Sequence, residues 1–308
     1  MLREQVKRVI PYIAGILAQK WRSPARALAF AMALLMVLAG GTPCFAQAAQ
    51  VIDNVNYLGP AGGLKLKGTL YLPEASATRL PAVVLVHGGA WHFGSRNDVQ
   101  VRDTARFLQA HGYAVLTINY ILGTKAQPDV WPENLIDCKT AVQWLRVNAQ
   151  AYNIDPGHIG IGGFSAGAHL ATLVAFTASD PALQPAQPYP GVSTAVQAVL
   201  DFYGPPILPR PAYRLFGPLP LPQSVVAEAT PMDQIRPGLP PILISYGSHD
   251  PNAFASQFPA FIAALAAAGV PHQVYVVDAG HGFDPTAPAT DVSAQLLAFL
   301  NAYLLPHG

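Results

Sequence analysis

Ser165, Asp250 and His281 are the residues whose types, order and surroundings could do chemistry together. Ser165 stands in Gly163-Phe164-Ser165-Ala166-Gly167, a G-x-S-x-G pattern that puts a serine on a sharp strand-to-helix turn. Five letters alone are a weak signal, and a serine alone is a weak nucleophile. It needs a base to take its proton and an acid to orient the base. In this arrangement the partners follow in the order Ser, Asp, His. Asp250 closes the run "ISYGSHD" just after Gly247, and His281 lies in "DAGHGF" between Gly280 and Gly282. Asp201, at the end of "VLDF", is the alternative acid, while His249 and His272 read as ordinary residues. Such a set would transfer an acyl group through a covalent serine intermediate.

Acyl transfer also needs donors for a developing oxyanion, each worth about 3 kcal/mol. The stretch "HGGAWHFGSR" follows the apolar run "AVVLV", and its glycines leave backbone N–H groups accessible. The expected donors are the N–H groups of Gly89, Ala90 and Ala166, with Gly88 and Trp91 as near candidates. His87 is expected to brace this loop rather than to act as a base.

The elements that must position these residues are legible from periodicity. Residues 51–80 alternate apolar and polar at period two and read as an opening hairpin region. "PAVVLVHGG", "YAVLTINY", "HIGIGGF", "TAVQAVLDFYG", "PPILISYG" and "HQVYVV" read as strands, mostly continuous apolar runs. Between them lie helical patterns: Val101, Ala105 and Leu108; Leu135, Cys138, Val142 and Leu145; Phe254, Phe258, Phe261 and Leu265. "SAGAHLATLVAFTA" and "DVSAQLLAFLNAYLL" complete the helices. Alternating strands and helices predict an α/β fold, a mostly parallel sheet covered on both faces. Every candidate residue then falls at the carboxyl end of a strand, where open α/β sheets place their sites. Residues 204–240 break the alternation with a Pro-rich apolar stretch. So long an irregular insertion predicts a lid, and Tyr213, Leu215, Phe216, Leu219 and Leu221 give it something to cover.

Residues 1–46 read apart from the fold. Six basic residues and one acidic one precede or enter an apolar run from Ala27 to Ala39, and "CFA" follows with small residues suited to cleavage after Ala46. This layout predicts a signal peptide and a secreted or periplasmic domain over 47–308. An uncleaved N-terminal anchor is the alternative, although the run is short for a span of about 20 residues. Without the leader the chain keeps 12 basic and 16 acidic residues of its 18 and 17, a net charge of −4. A mildly acidic chain without a basic patch argues against nucleic-acid binding. Cys138 would be the one cysteine left, so no internal disulfide is expected. No stable membrane association is expected after cleavage.

With these residues in view, the chain resembles the α/β-hydrolase fold. It is similar to the HGG-loop esterases related to hormone-sensitive lipase, and above all to the bifunctional feruloyl and acetylxylan esterase group. Kynurenine formamidase-like and isoprenylcysteine methylesterase-like enzymes also share HGGAW. The likeness runs from about Leu64 onward on "PAVVLVHGGAWHFGSR", the segment from Trp131 to Leu173, and "AGHGF". The resemblance implies the triad Ser165, Asp250 and His281, no metal and no cofactor. It implies a carboxylesterase acting on short-chain or aryl esters, small or polymer-linked. An amidase, formamidase or peptidase with the same triad stays open, as does a non-catalytic binding protein on the same scaffold. The Pro-rich insertion has no counterpart in the resemblance.

Overall fold

The computed structural model describes residues 48–59, 63, 65–127, 129–208, 222–250 and 255–305. The leader over 1–46 therefore lies outside the described residues, as do Phe254 and the middle of the insertion with Tyr213, Leu215, Phe216, Leu219 and Leu221.

Among the described residues eight strands form one sheet: β1 (Gln50–Val55), β2 (Gly68–Leu72), β3 (Leu80–Val86), β4 (Ala114–Ile118), β5 (Ile154–Phe164), β6 (Ala198–Phe202), β7 (Ile242–Gly247) and β8 (His272–Val277). Their order is β1-β2-β4-β3-β5-β6-β7-β8. β2 runs antiparallel to β1 and β4, and the pairs from β4 through β8 are parallel. The opening hairpin region is thus an antiparallel pair. Its second strand starts only at Gly68, and β2 is buried throughout rather than half-exposed. The reason is that both its faces are covered, Leu70 and Leu72 entering one apolar cluster and Tyr71 another, while Thr69 satisfies its hydroxyl by donating to Asp53 and accepting from Arg96.

Helices α1 (Val99–Ala110), α2 (Glu133–Val147), α3 (Ala166–Phe176), α4 (Gln223–Glu228), α5 (Phe258–Ala267) and α6 (Ser293–Leu304) complete the described regular structure, with short 3₁₀ turns. The β-branched run of β3 shows why both faces must be covered. Ala82, Val84 and Val86 enter one apolar cluster with α2, α3 and α5, whereas Val83 and Leu85 enter another with α1 and α6. The helical positions expected from spacing at Val101, Ala105, Leu108, Leu135, Cys138, Val142, Leu145, Phe258, Phe261 and Leu265 are all buried in these clusters. At about 25 cal/mol per Å² of apolar surface removed from water, these two layers dominate the stability of the domain. Among the described residues no helix is long and apolar enough to cross a membrane.

The described ends of the insertion are not irregular throughout. They hold α4 and a 3₁₀ turn over Pro231–Gln234. The base is closed where Met232 N–H donates to the Pro206 carbonyl at 3.0 Å. Trp131 Nε1 donates to Glu228 at 3.0 Å and pins α4 to the domain.

Candidate active site

Ser165 joins β5 to α3 with φ 52° and ψ −118°. That positive φ is uncommon for a residue with a side chain and marks stored strain at the elbow. The turn is held by Ser165 N–H donating to the Phe202 carbonyl at 2.9 Å and by His169 N–H donating to the Ser165 carbonyl at 3.0 Å. The flanking glycines are required by close approach. A Cβ at Gly163 would lie 2.4 Å from the Gly167 backbone, and one at Gly167 would lie 2.3 Å from the carbonyl oxygens of Val86 and His87.

The structure brings the three dispersed candidates together. Ser165 Oγ lies 2.7 Å from His281 Nε2, and His281 Nδ1 lies 2.6 Å from Asp250 Oδ2. The Asp250 carboxylate is fully buried while the imidazole stays partly open. A carboxylate only accepts, so Nδ1 carries the hydrogen and Nε2 offers its lone pair to the serine hydroxyl. Two loops make this possible. Ser248 N–H donates to the Val277 carbonyl and His249 N–H to the Ala279 carbonyl, zipping the loop after β7 to the loop after β8. Gly247 permits the approach, because a Cβ there would meet the Ala279 carbonyl at 2.3 Å.

Asp201, the alternative acid, has another place. It is buried at the end of β6, accepting from Thr172 Oγ1 at 3.0 Å and from Gly204 N–H at 2.8 Å. Burial pushes its carboxyl up to about 6, against those two hydrogen bonds. It ties α3 to the turn after β6. His249 pairs with Asp278 at the surface, and His272 Nδ1 lies 2.8 Å from the Val270 carbonyl.

The loop after β3 runs against the serine: a Cβ at Gly88 would come 3.4 Å from Ser165 Cβ. Its peptide planes fix where its N–H groups point, since N–H and C=O of one trans peptide face opposite ways. His87 Nδ1 donates to the Gly88 carbonyl at 2.7 Å, which turns Gly89 N–H the other way. His92 and Phe93 N–H both donate to the Gly89 carbonyl, which turns Ala90 N–H away from them. The Ser165 carbonyl enters α3, so Ala166 N–H points out of the helix start, where the dipole favours negative charge. Among the described residues none of these three N–H groups has an acceptor. Gly89, Ala90 and Trp91 sit at φ 112°, 51° and 60°, a run of left-handed backbone. Of the near candidates, Trp91 accepts Gly123 N–H at its carbonyl at 2.9 Å, and neither the Gly88 nor the Trp91 N–H has an acceptor among the described residues. His87 is fully buried, stacks on Tyr120 at 4.4 Å and is held below the usual histidine range by burial. It braces the loop.

Two residues at the site have no signal in the sequence pattern. Tyr203, at φ 50°, sets its ring edge against His281 at 5.0 Å and donates to the Phe283 carbonyl. His169 lies one helical turn beyond the serine, fully buried against Trp91. A β-strand run ending in Tyr-Gly and an Ala-rich helix gave no reason to single either out.

The chain is similar to two esterases of Mycobacterium tuberculosis. LipQ is 33% identical over 244 residues, which is 74% of this chain and 56% of that protein. LipC is 32% identical over 222 residues, 66% of this chain and 53% of that protein. The chain thus spans about half the length of these curated relatives. Among solved structures, a truncated carbohydrate esterase from gut microbiota superposes with TM-score 0.72 at 24% identity, covering 84% of this chain and 98% of that one. At that identity the likeness speaks for the fold. The thermophilic esterase Est2 of Thermogutta terrifontis superposes with TM-score 0.70 at 26% identity, covering 85% and 95%. These neighbours share the mostly parallel sheet flanked by helices, and the α/β-hydrolase fold is the fold of this domain. A family model matches residues 69–265, from β2 into α5 and across the serine elbow, and on that match the chain belongs to the BD-FAE family.

Proposed function

We propose that the protein is a serine carboxylesterase that cleaves short-chain or aryl esters through an acyl-enzyme. Ser165 attacks the ester carbonyl while His281 Nε2 takes its proton. Asp250 holds the imidazole tautomer and stabilises the imidazolium. The tetrahedral oxyanion is received by the N–H groups of Gly89, Ala90 and Ala166. His281 returns the proton to the leaving alcohol, then activates the water that releases the acid. The observation that carries this reading is the relay of 2.7 Å and 2.6 Å from Ser165 through His281 to Asp250. The names of the relatives support the bond class: LipQ and LipC are esterases, and a neighbouring structure is the Thermogutta terrifontis esterase phosphorylated by paraoxon. The resemblance to the feruloyl and acetylxylan esterase group, with the BD-FAE family match, favours including acetylated sugars, free or polymer-linked, among the substrates.

Purified protein with p-nitrophenyl acetate and butyrate tests the reading. Ser165→Ala is expected to lower turnover at least about a thousandfold with unchanged folding. Near wild-type rates in that variant would remove the serine from the mechanism. Matched amides are expected to turn over more slowly than the esters, and the reverse order would make this an amidase.

A further inference from the structure

Among the described residues, two buried polar atoms beside the oxyanion loop have no hydrogen-bond partner: the indole Nε1 of Trp91 and Nδ1 of His169. Trp91 directly follows Ala90 and is 6% exposed, and His169 is 0% exposed. Their rings meet edge to face, with centroids 5.2 Å apart and planes at 83°. The other nitrogen of His169, Nε2, lies 2.7 Å from the Ala229 carbonyl. A carbonyl only accepts, so Nε2 carries the hydrogen. Burial holds the ring down to about 4, so it is neutral at ordinary pH and Nδ1 presents a lone pair. Indole Nε1 is a donor only. One donor and one acceptor therefore sit on two rings in contact and are not bonded to each other. Left unmet, each would be stripped of water with no bond in return. A single hydroxyl oxygen satisfies both, accepting from the indole and donating to the imidazole.

We propose that one water molecule is held between Trp91 Nε1 and His169 Nδ1, and that His169 is thereby a positioning residue for the oxyanion donors. The three donor groups come from two separate pieces of chain. Gly89 and Ala90 belong to the loop after β3, whose next residue is Trp91; Ala166 opens α3, whose first internal bond runs from His169 N–H to the Ser165 carbonyl. The bridge joins these pieces next to the serine. The bond to Ala229 extends the same brace to the base of the insertion. No proton moves through it.

The proposal rests on the esterase reading for its kinetic test, and a crystal structure tests it independently. In a high-resolution crystal structure of the wild-type protein, an ordered water is expected within hydrogen-bond distance of both nitrogens. A direct Trp91–His169 bond, or no water there, overturns the proposal. In kinetics, Trp91→Phe keeps an aromatic ring and removes the donor, and His169→Phe keeps a ring and removes the acceptor together with the bond to Ala229. Each is expected to lower kcat about tenfold or more, as small displacements of positioned groups do. KM should stay within about twofold, since ground-state binding is untouched. Affinity for a trifluoromethyl ketone, which forms a tetrahedral oxyanion on the serine, should fall by the same factor as kcat/KM. The double variant should be no worse than the weaker single variant, because both remove one bridge. Effects that multiply, or a loss seen only in KM for hydroxylated aryl esters, overturn the proposal; the second would assign the oxygen to the substrate. A wild-type protein that cleaves no ester would instead defeat the functional reading, and the crystallographic water would still be decisive for this one.

Discussion

Ser165 is held at a positive φ by neighbours that leave no room for relaxation, and the same serine meets His281 at 2.7 Å. Strain at that residue is affordable because β5, α3 and the loop after β3 over-determine it. The acids divide by environment. Asp250 is buried against an imidazole, whereas Asp201 is buried against a hydroxyl and a backbone N–H. Asp250→Asn is therefore expected to cut kcat by about 10³–10⁴, through loss of the correct tautomer. Asp201→Asn should leave kcat within about tenfold and act on melting temperature instead, as changes to structural hydrogen bonds do. Steady-state kinetics on the two variants would reverse the assignment if Asp201→Asn proved the more damaging.

At the scale of elements, the site depends on loops that approach closer than side chains allow. The turn after β7 touches the loop after β8 at Gly247, where a Cβ would stand 2.3 Å from one carbonyl oxygen and 2.5 Å from the next. Those atoms belong to Ala279 and Gly280, the residues leading into His281. Gly247→Ala is expected to destabilise by about 2 kcal/mol or more, because backbone cannot yield as a side chain does. It should also lower kcat by moving Asp250 away from His281. Gly157→Ala is the control: its Cβ would meet only a side-chain oxygen at 3.3 Å, so a change under about 0.5 kcal/mol is expected. Thermal melts of both variants decide it, and equal melting temperatures would show that the two loops can part without cost. The elements themselves follow from the sequence. Continuous apolar strands need cover on both faces, and helical spacing supplies it.

At the scale of the whole molecule, buried carboxyls tie stability to pH. Burial pushes Asp137 up to about 7 and Asp201 up to about 6. In the unfolded chain both ionise near 4. Between those values the native state binds more protons than the unfolded state, so stability falls as pH rises. The contribution is complete below about 4 and lost as pH passes the folded values. Asp137 accepts Ile121 N–H at 2.8 Å, a bond an amide oxygen can keep. Asp137→Asn should therefore gain on the wild type in melting temperature as pH rises from about 5 to about 8. A difference that stays flat across that window would show that Asp137 is ionised in the fold.

Taken alone, the sequence determined the alternation of strands and helices, the elbow and its flanking glycines, the glycine loop, and the Ser, Asp, His order. These are local matters, set by periodicity and by which residues tolerate a tight turn. Tertiary structure alone separates Asp250 from Asp201, which lie just past and near the end of their strands: it sets Asp250 against His281 and Asp201 against Thr172 and Gly204. It also decided which way the N–H groups of Gly89 and Ala90 face, through carbonyls engaged by His87, His92 and Phe93. Tyr203 and His169 entered the site in the same way, as ring contacts between residues far apart in the chain. Residue type and spacing carry turns and amphipathic faces, but the partner of a buried polar group is chosen by packing across elements. That choice has no periodicity to read.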